Sequence, residues 1–444
     1  MIDKFFKKTD KSTKFLKLLL ISSFLLSFLV NKAGAVEKSV PVDKKVPLEI
    51  TWEECLRQAR QNHPDIIAEL EKLKQAGANK AITVSGVLPQ ISTSLSERTS
   101  ETSTKEKTDT YSYSVSGSQL LFDGFKTSYD IASASEDIKS AQYNLAVTSS
   151  NVRLKLRTAF VRLLRAQDLL NITEDIAGRR RKNLELVELR YEAGREHKGS
   201  LLTAQADLAE ALFEVTQAGR NIDLAQRQLT KELGRTHLIP IKAKGDFKIK
   251  DTLREKPDFE RLSESIPFLK ELIARKEAAR FDLKSAKADF FPQVYANASA
   301  GRTDSNWPPD KDEWSLGASL SFPLFEGGSR LARVSKNKAA FNQAEADKRS
   351  GRDSLILTLE ETWKDLQDAI DKLTVQQKFS EASKERAKIA QAQYSTGLIS
   401  FDNWIIIEDE LVRDEKSLLD AQANLLIAEA NWIQAKGGTL DDQE

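Results

Sequence analysis

Leu156, Leu163, Leu170, Ala177, Leu184 and Tyr191 follow one another at steps of seven, with mostly polar and charged residues between them. A seven-residue step keeps one seam of a helix turned toward a neighbour, so the pattern predicts a single helix over residues 125–192 packed as a coiled coil. At about 1.5 Å rise per residue the rod would be roughly 100 Å long, too long for the core helix of a globular domain. Leu359, Leu366, Leu373, Ala387 and Tyr394 repeat the seam and predict a second rod over 328–395. Shorter helices flank each rod. Leu56, Ala59, Ile66, Ile67, Leu70, Leu73 and Ala76 mark one over 51–87, with Pro64 early enough to be tolerated or to kink it mildly. Others are predicted over 200–233, 257–290 and 400–436, with stops at Gly234 and Gly437.

Between the helices the period changes to two. Ile91, Thr93 and Leu95 alternate with Ser92, Ser94 and Ser96, and Tyr111, Tyr113 and Val115 alternate with Ser112, Ser114, Ser116 and Ser118. Val294, Ala296, Ala298 and Ala300 alternate with Tyr295, Asn297 and Ser299; Trp314, Leu316, Ala318, Leu320 and Phe322 alternate with Ser315, Gly317, Ser319 and Ser321. These runs predict strands over 89–97, 111–122, 292–301 and 314–325, paired as two β-hairpins around the polar tracts 97–110 and 302–313. Gln119 interrupts the apolar face where the later copy has Phe322, and the pattern offers no account of it.

Adding 203 to a position in the first half finds its counterpart in the second: Pro64 and Pro267, Pro89 and Pro292, Leu121 and Leu324, Gly124 and Gly327, Tyr191 and Tyr394, Gly194 and Gly397, Gly234 and Gly437. Turn residues, strand starts and helix ends all match without a gap, so one unit has been duplicated. LFDGF at 121–125 and LFEGG at 324–328 are one strand-to-helix corner, used once per copy. The repeats occupy 51–234 and 256–437, preceded by an irregular segment 36–50, joined by 235–255 and followed by a tail 438–444. The helices at 51–87 and 200–233 together nearly equal the rod between them, so one would cover its upper half and the other its lower. Segments 36–50 and 235–255 would then meet at the rod's waist.

Composition narrows the function. The 444 residues include only 19 Gly and 11 Pro, which fits long unbroken helices. Lys plus Arg (67) and Asp plus Glu (66) nearly cancel, so no overall field draws the chain to nucleic acid. The single Cys55 cannot form an intramolecular disulfide, and His63, His197 and His237 are too scattered for a metal site. No nucleophile–base pair, phosphate loop or carboxylate pair points to an enzyme, and no cofactor is expected. Lys4, Lys7, Lys8, Lys11 and Lys14 precede an apolar run over 18–30 and the small residues Ala33, Gly34 and Ala35. Residues 1–35 therefore read as a cleaved signal peptide, leaving a mature chain that begins near Val36 outside the cytoplasm. A membrane-spanning anchor would need about 20 apolar residues, more than this run supplies.

Four strands are too few to close a membrane barrel, and an open sheet edge cannot face lipid, so several chains would have to share one. A soluble sandwich is the competing reading, weakened by helices too long for such a domain. The signal peptide, the duplicated helix–strand–strand–helix–helix unit, PQI and PQV opening the first strands, LFDGF and LFEGG closing the second, and YEAG and YSTG at the helix reversals together resemble the TolC-type outer-membrane efflux proteins. The resemblance implies a mainly α fold with membrane β: a homotrimer whose twelve-stranded β-barrel lies in outer-membrane lipid and continues into a periplasmic α-helical tunnel. It further implies a passive exit channel for efflux or secretion, working with a periplasmic adaptor and an energised inner-membrane transporter. Ser112, Ser114, Ser116, Ser315 and Ser319 would face the barrel lumen.

In that family the helix reversals close the periplasmic entrance around a ring of carboxylates. Here the matching positions are Ser200 and Asn403, so the acidic ring is not carried over, although Asp402, Glu408, Glu196 and Asp207 lie nearby. Tyr191, Gly194, Tyr394 and Gly397 would shape the entrance, the tyrosines by bonding a neighbouring helix or by packing under the turn. The basic run 179–182 reads as an adaptor dock or as a solvated helix face. Trp404, Ile405, Ile406 and Ile407 cover every side of a helix, so some must meet a partner at the tip. The alternative to a channel is a periplasmic coiled-coil scaffold without a barrel, which would leave the strand pairs unexplained.

Overall fold

The computed structural model describes residues 48–102, 105–247 and 255–442. The expected signal peptide, segment 36–47, residues 248–254 of the linker and the end of the tail lie outside them. In chain order the elements are β1 (Leu48–Ile50), α1 (Trp52–Asn62), α2 (Pro64–Ser85), β2 (Gln90–Thr102), β3 (Lys105–Phe122), α3 (Lys126–Glu192) and α4 (Lys198–Glu232). They continue as β4 (Ile241–Ala243), α5 (Phe259–Ser263), α6 (Pro267–Ala288), β5 (Gln293–Asp304), β6 (Lys311–Ser321), α7 (Ser329–Thr396) and α8 (Phe401–Ala435).

The rods α3 and α7 are single helices of 67 and 68 residues. Their heptad seams are buried at Leu156, Leu163, Ala177, Leu359, Leu366 and Ala387. The flanking helix expected over 51–87 is instead two, α1 and α2, and the one over 257–290 likewise divides into α5 and α6. Proline explains both breaks: Pro64 and Pro267 lack the N–H that would continue the preceding ladder but suit the first turn of the next. His63 caps α2, its Nδ1 accepting from the Asp65 amide at 3.2 Å. Each break receives the end of a climbing helix. Gly234, at φ +70°, lies against the Asn62 carbonyl, and Gly437, at φ +81°, lies against Pro267.

The half of α3 nearer the strands is flanked by α2 and α6; the far half is flanked by α4 and α8, with α7 beside α6 and α8. β1 pairs in parallel with β4, and Gln167 of α3 grips that strand twice, donating to the Ala243 carbonyl at 3.0 Å and accepting from its amide at 2.8 Å. The main core lies at this level. Ile50, Trp52, Leu156, Phe160, Leu163 and Leu229 pack in one cluster, and Phe259, Leu359, Trp363, Leu366 and Trp432 in its repeat.

The remaining strands form one antiparallel sheet in the order β2–β3–β5–β6, leaving β2 and β6 as unpaired edges. The first hairpin is longer than predicted because the tract 97–110 is polar on both faces, which hides its alternation; Glu97 pairs with Tyr111 and Arg98 with Thr110. β6 stops at Ser321 rather than 325, since Pro323 has no amide to donate.

Candidate functional site

Both helix reversals are built the same way. α3 ends as the Gly194 amide donates to Tyr191 and the Arg195 amide to Arg190; α7 ends with Gly397 to Tyr394 and Leu398 to Gln393. Gly194 and Gly397 take φ +65° and +82°, the left-handed values such a cap requires. The side chains below them differ. Tyr191 remains exposed, whereas Tyr394 is fully buried, stacked on Trp404 with ring centroids 4.3 Å apart and edged by Phe401. Arg190 closes the other face of the Tyr394 ring at 4.6 Å and donates to the Tyr394 carbonyl at 2.8 Å.

The Tyr394 hydroxyl donates to Glu196 Oε2 at 2.9 Å, so a carboxylate from the first reversal holds the phenol of the second. Glu196 Oε1 accepts from Ser200 Oγ at 2.9 Å and from the His197 amide at 3.2 Å. Burial pulls the Glu196 carboxyl upward, but these bonds outweigh it and hold the group below the usual carboxylate range. Burial, reinforced by Glu196, raises the Tyr394 phenol. His197 Nδ1 accepts the Ser200 amide at 3.2 Å and caps α4.

Several sequence expectations change here. Ser200, expected at the constriction, is 1% exposed and serves Glu196 instead, while Asp402 and Asn403 remain on the surface. Trp404, expected to contact a partner, is buried under Tyr394; of its neighbours Ile406 stays exposed and Ile405 half-buried. The reason is the amphipathic turn of α8: Phe401, Trp404 and Glu408 share the inward face, and Ile406 points away. The basic run also divides. Arg179 pairs with Glu415 at 2.6 Å and buried Arg180 pairs with Asp409, whereas Arg181 and Lys182 face outward. Burial pushes the Glu408 carboxyl up, partly offset by Arg179 and Arg180. Arg190 escaped sequence reasoning. Its signal was a mismatch between the copies, since the matching position holds Gln393, just as Glu196 matches Ile399.

At the other end, Ser112, Ser114, Ser116, Ser315 and Ser319 share one face of the sheet. Hydroxyls meet across the strands at 2.8–2.9 Å in Ser92–Ser116, Ser94–Ser114, Ser96–Ser112 and Ser299–Ser315, and Asn297 donates to Ser319 at 3.0 Å. Ser92, Ser116, Ser299 and Ser315 stand in register as one row across all four strands. The opposite face is apolar and bare: Ile91, Trp314 and Leu316 are each 76–77% exposed. Among the described residues no helix is long and apolar enough to cross a membrane.

The family model described as "Outer membrane efflux protein" matches residues 55–235 and 260–438, once per repeat. The outer membrane efflux protein BepC of Brucella suis is 20% identical over 323 residues, covering 71% of this chain and 69% of that protein. The outer membrane protein TolC of Vibrio cholerae is 21% identical over 411 residues, 88% of this chain and 91% of that protein. Among solved structures, the outer membrane protein VceC of Vibrio cholerae superposes with a TM-score of 0.77 at 18% identity, covering 87% of this chain and 96% of that one; the fold is shared.

Proposed function

The chain belongs to the outer membrane efflux protein family, and on that premise we propose that three copies close one twelve-stranded barrel and one helical tunnel, forming a passive exit duct across the outer membrane and periplasm. The observation that carries the reading is the four-stranded sheet with two open edges, a hydroxyl face and a bare apolar face. In hydrocarbon an unpaired strand edge costs several kcal/mol for each unsatisfied amide or carbonyl, so β6 of one copy must pair with β2 of the next. A third of a barrel cannot stand alone in a membrane. The lumen would then be lined by Ser112, Ser114, Ser116, Ser315 and Ser319, a wet surface with few strong binding points that suits varied cargo.

The helix edges support the same closure. α4 and α7 lie at the two sides of the far-end layer and carry bare apolar residues, Leu202 and Phe213 on one, Val375 and Phe379 on the other. The reversals form the periplasmic entrance, shaped by Tyr191, Gly194, Gly397, Asp402 and Asn403, with the Tyr394–Glu196 bond as its clasp and Ser200 as a support of that clasp. Ile405 and Ile406 are offered to the adaptor or a neighbouring copy, and energy comes from an inner-membrane transporter reached through that adaptor. Cell fractionation followed by detergent extraction tests the reading. The mature protein should stay with the outer membrane through osmotic shock and emerge in detergent at three times the mass of one chain. Release by shock, or a monomer in detergent, would mean a periplasmic scaffold instead.

A further inference from the structure

Leu324 and Phe325, in the second strand-to-helix corner, are 87% and 88% exposed, the highest values for large apolar residues among the described residues. Leu324 keeps the alternation of Trp314, Leu316, Leu320 and Phe322, so it continues the bare face of the sheet beyond the last strand pair. Geometry explains why that face should continue. From Trp314 to Phe322 the chain covers roughly 27 Å along the strand, about 21 Å along the membrane normal at ~40° tilt, whereas the apolar band of such barrels is about 25 Å tall. The missing few ångströms fall on the corner.

Three further features fit a corner without water. The aromatic residues near the polar hairpin ends are Tyr111, Trp307 and Trp314, each with a polar handle, whereas those at the corners, Phe122, Phe125 and Phe325, have none. Carbonyls at this end of the sheet are taken by side chains: Gln119 donates to Val87 at 2.6 Å and to Leu120 at 2.9 Å, Gln90 to Ser85 at 2.8 Å, and Arg330 to Pro323 at 3.1 Å. Gln119, the polar residue that interrupted the apolar alternation, thus satisfies a backbone group that water would otherwise serve. Phe125 holds a left-handed backbone, φ +67°, where the second copy has Gly328 at φ +85°. A phenylalanine kept where glycine is easier strains the backbone, which points to a use for its ring, 63% exposed.

Resting on the barrel reading above, we propose that acyl chains of the inner leaflet extend past the end of the sheet and cover both corners, making Leu121, Phe125, Leu324 and Phe325 a lipid anchor that fixes the depth of the channel. The test is spin labelling of Leu320→Cys, Phe125→Cys, Phe325→Cys and Lys364→Cys in the full chain. Cys55 is fully buried and its thiol is pushed up to about 12 by that burial, so it stays unlabelled. In phosphatidylethanolamine–phosphatidylglycerol vesicles, collisions with oxygen report hydrocarbon and collisions with a nickel chelate report water. The oxygen-to-nickel ratio at 325 and 125 should match that at 320 and exceed that at 364 several-fold. A ratio at 325 equal to that at 364, with 320 still oxygen-rich, would overturn the anchor and leave the barrel standing. A label at 325 shielded from both reagents would overturn it too, by showing a neighbouring copy on the corner. Nickel access at 320 would sink the barrel itself. Should Phe125→Cys not assemble, position 325 alone decides.

Discussion

Replacing Tyr394 by phenylalanine removes one oxygen and leaves the ring on Trp404, so it isolates the bond to Glu196. A hydrogen bond to a charged group contributes about 1.5–3 kcal/mol when buried. Glu196 is only partly buried, and solvent replacement reduces this to about 1 kcal/mol per copy. In the proposed trimer, three copies opening together would lose about 3 kcal/mol, shifting the open-to-closed ratio roughly 10²-fold. Single-channel recording in planar bilayers reads that ratio directly as the time spent at high conductance. The pH profile adds a signature. Because the Glu196 carboxyl is held below its ordinary value, the clasp is complete above ~4.3 and is lost as pH falls through the lower, folded value. The parent should therefore conduct evenly from neutral pH down to about 5 and open only in stronger acid. In Tyr394→Phe the clasp is already absent, so the open fraction should be raised at neutral pH and the acid limb lost. An unchanged open fraction and an unmoved acid limb, in a variant that still assembles, would show that the hydroxyl does not hold the entrance.

Trp404→Ala should cost about 3–5 kcal/mol through the cavity left under Tyr394, read as a lowered denaturant midpoint; a loss below ~1 kcal/mol would mean the indole covers nothing essential. Gly194→Ala and Gly234→Ala both force alanine into a left-handed backbone, worth about 1–2 kcal/mol, but only the second drives its methyl into the Asn62 carbonyl. Thermal melting should therefore penalise Gly234→Ala clearly more, and equal losses would contradict the joint at the waist. In salt gradients the channel should show only weak cation selectivity, since Ser200 is buried and Asn403 is uncharged. Strong selectivity abolished by Asp402→Ala alone would refute the uncharged ring.

The two copies show where periodicity stops being informative. Both rods, both hairpins and both reversals were legible because their patterns are local: a step of seven, a step of two, a glycine at the stop. Pro64 and Pro267 were visible as well, but whether they kink a helix or end it depends on what docks at the break. Gly234 and Gly437 bring a second helix end to those points, and that is a tertiary fact. Tyr191 and Tyr394 occupy the same place in the repeat, yet one is exposed and the other is sealed between Trp404 and Arg190. Nothing in either repeat alone separates them.

What the sequence determined by itself is the set of elements, their duplication and their two-faced strands, since backbone period and side-chain polarity act within a few residues. Which tyrosine is clasped, which arginines of the 179–182 run turn inward, and why Gln119 stands on an apolar face were decided only by the folded chain. Each depends on a partner far away in sequence, Glu196 for Tyr394, Asp409 and Glu415 for the arginines, and the Val87 carbonyl for Gln119. A polar group's role is set by the donor or acceptor that packing delivers to it.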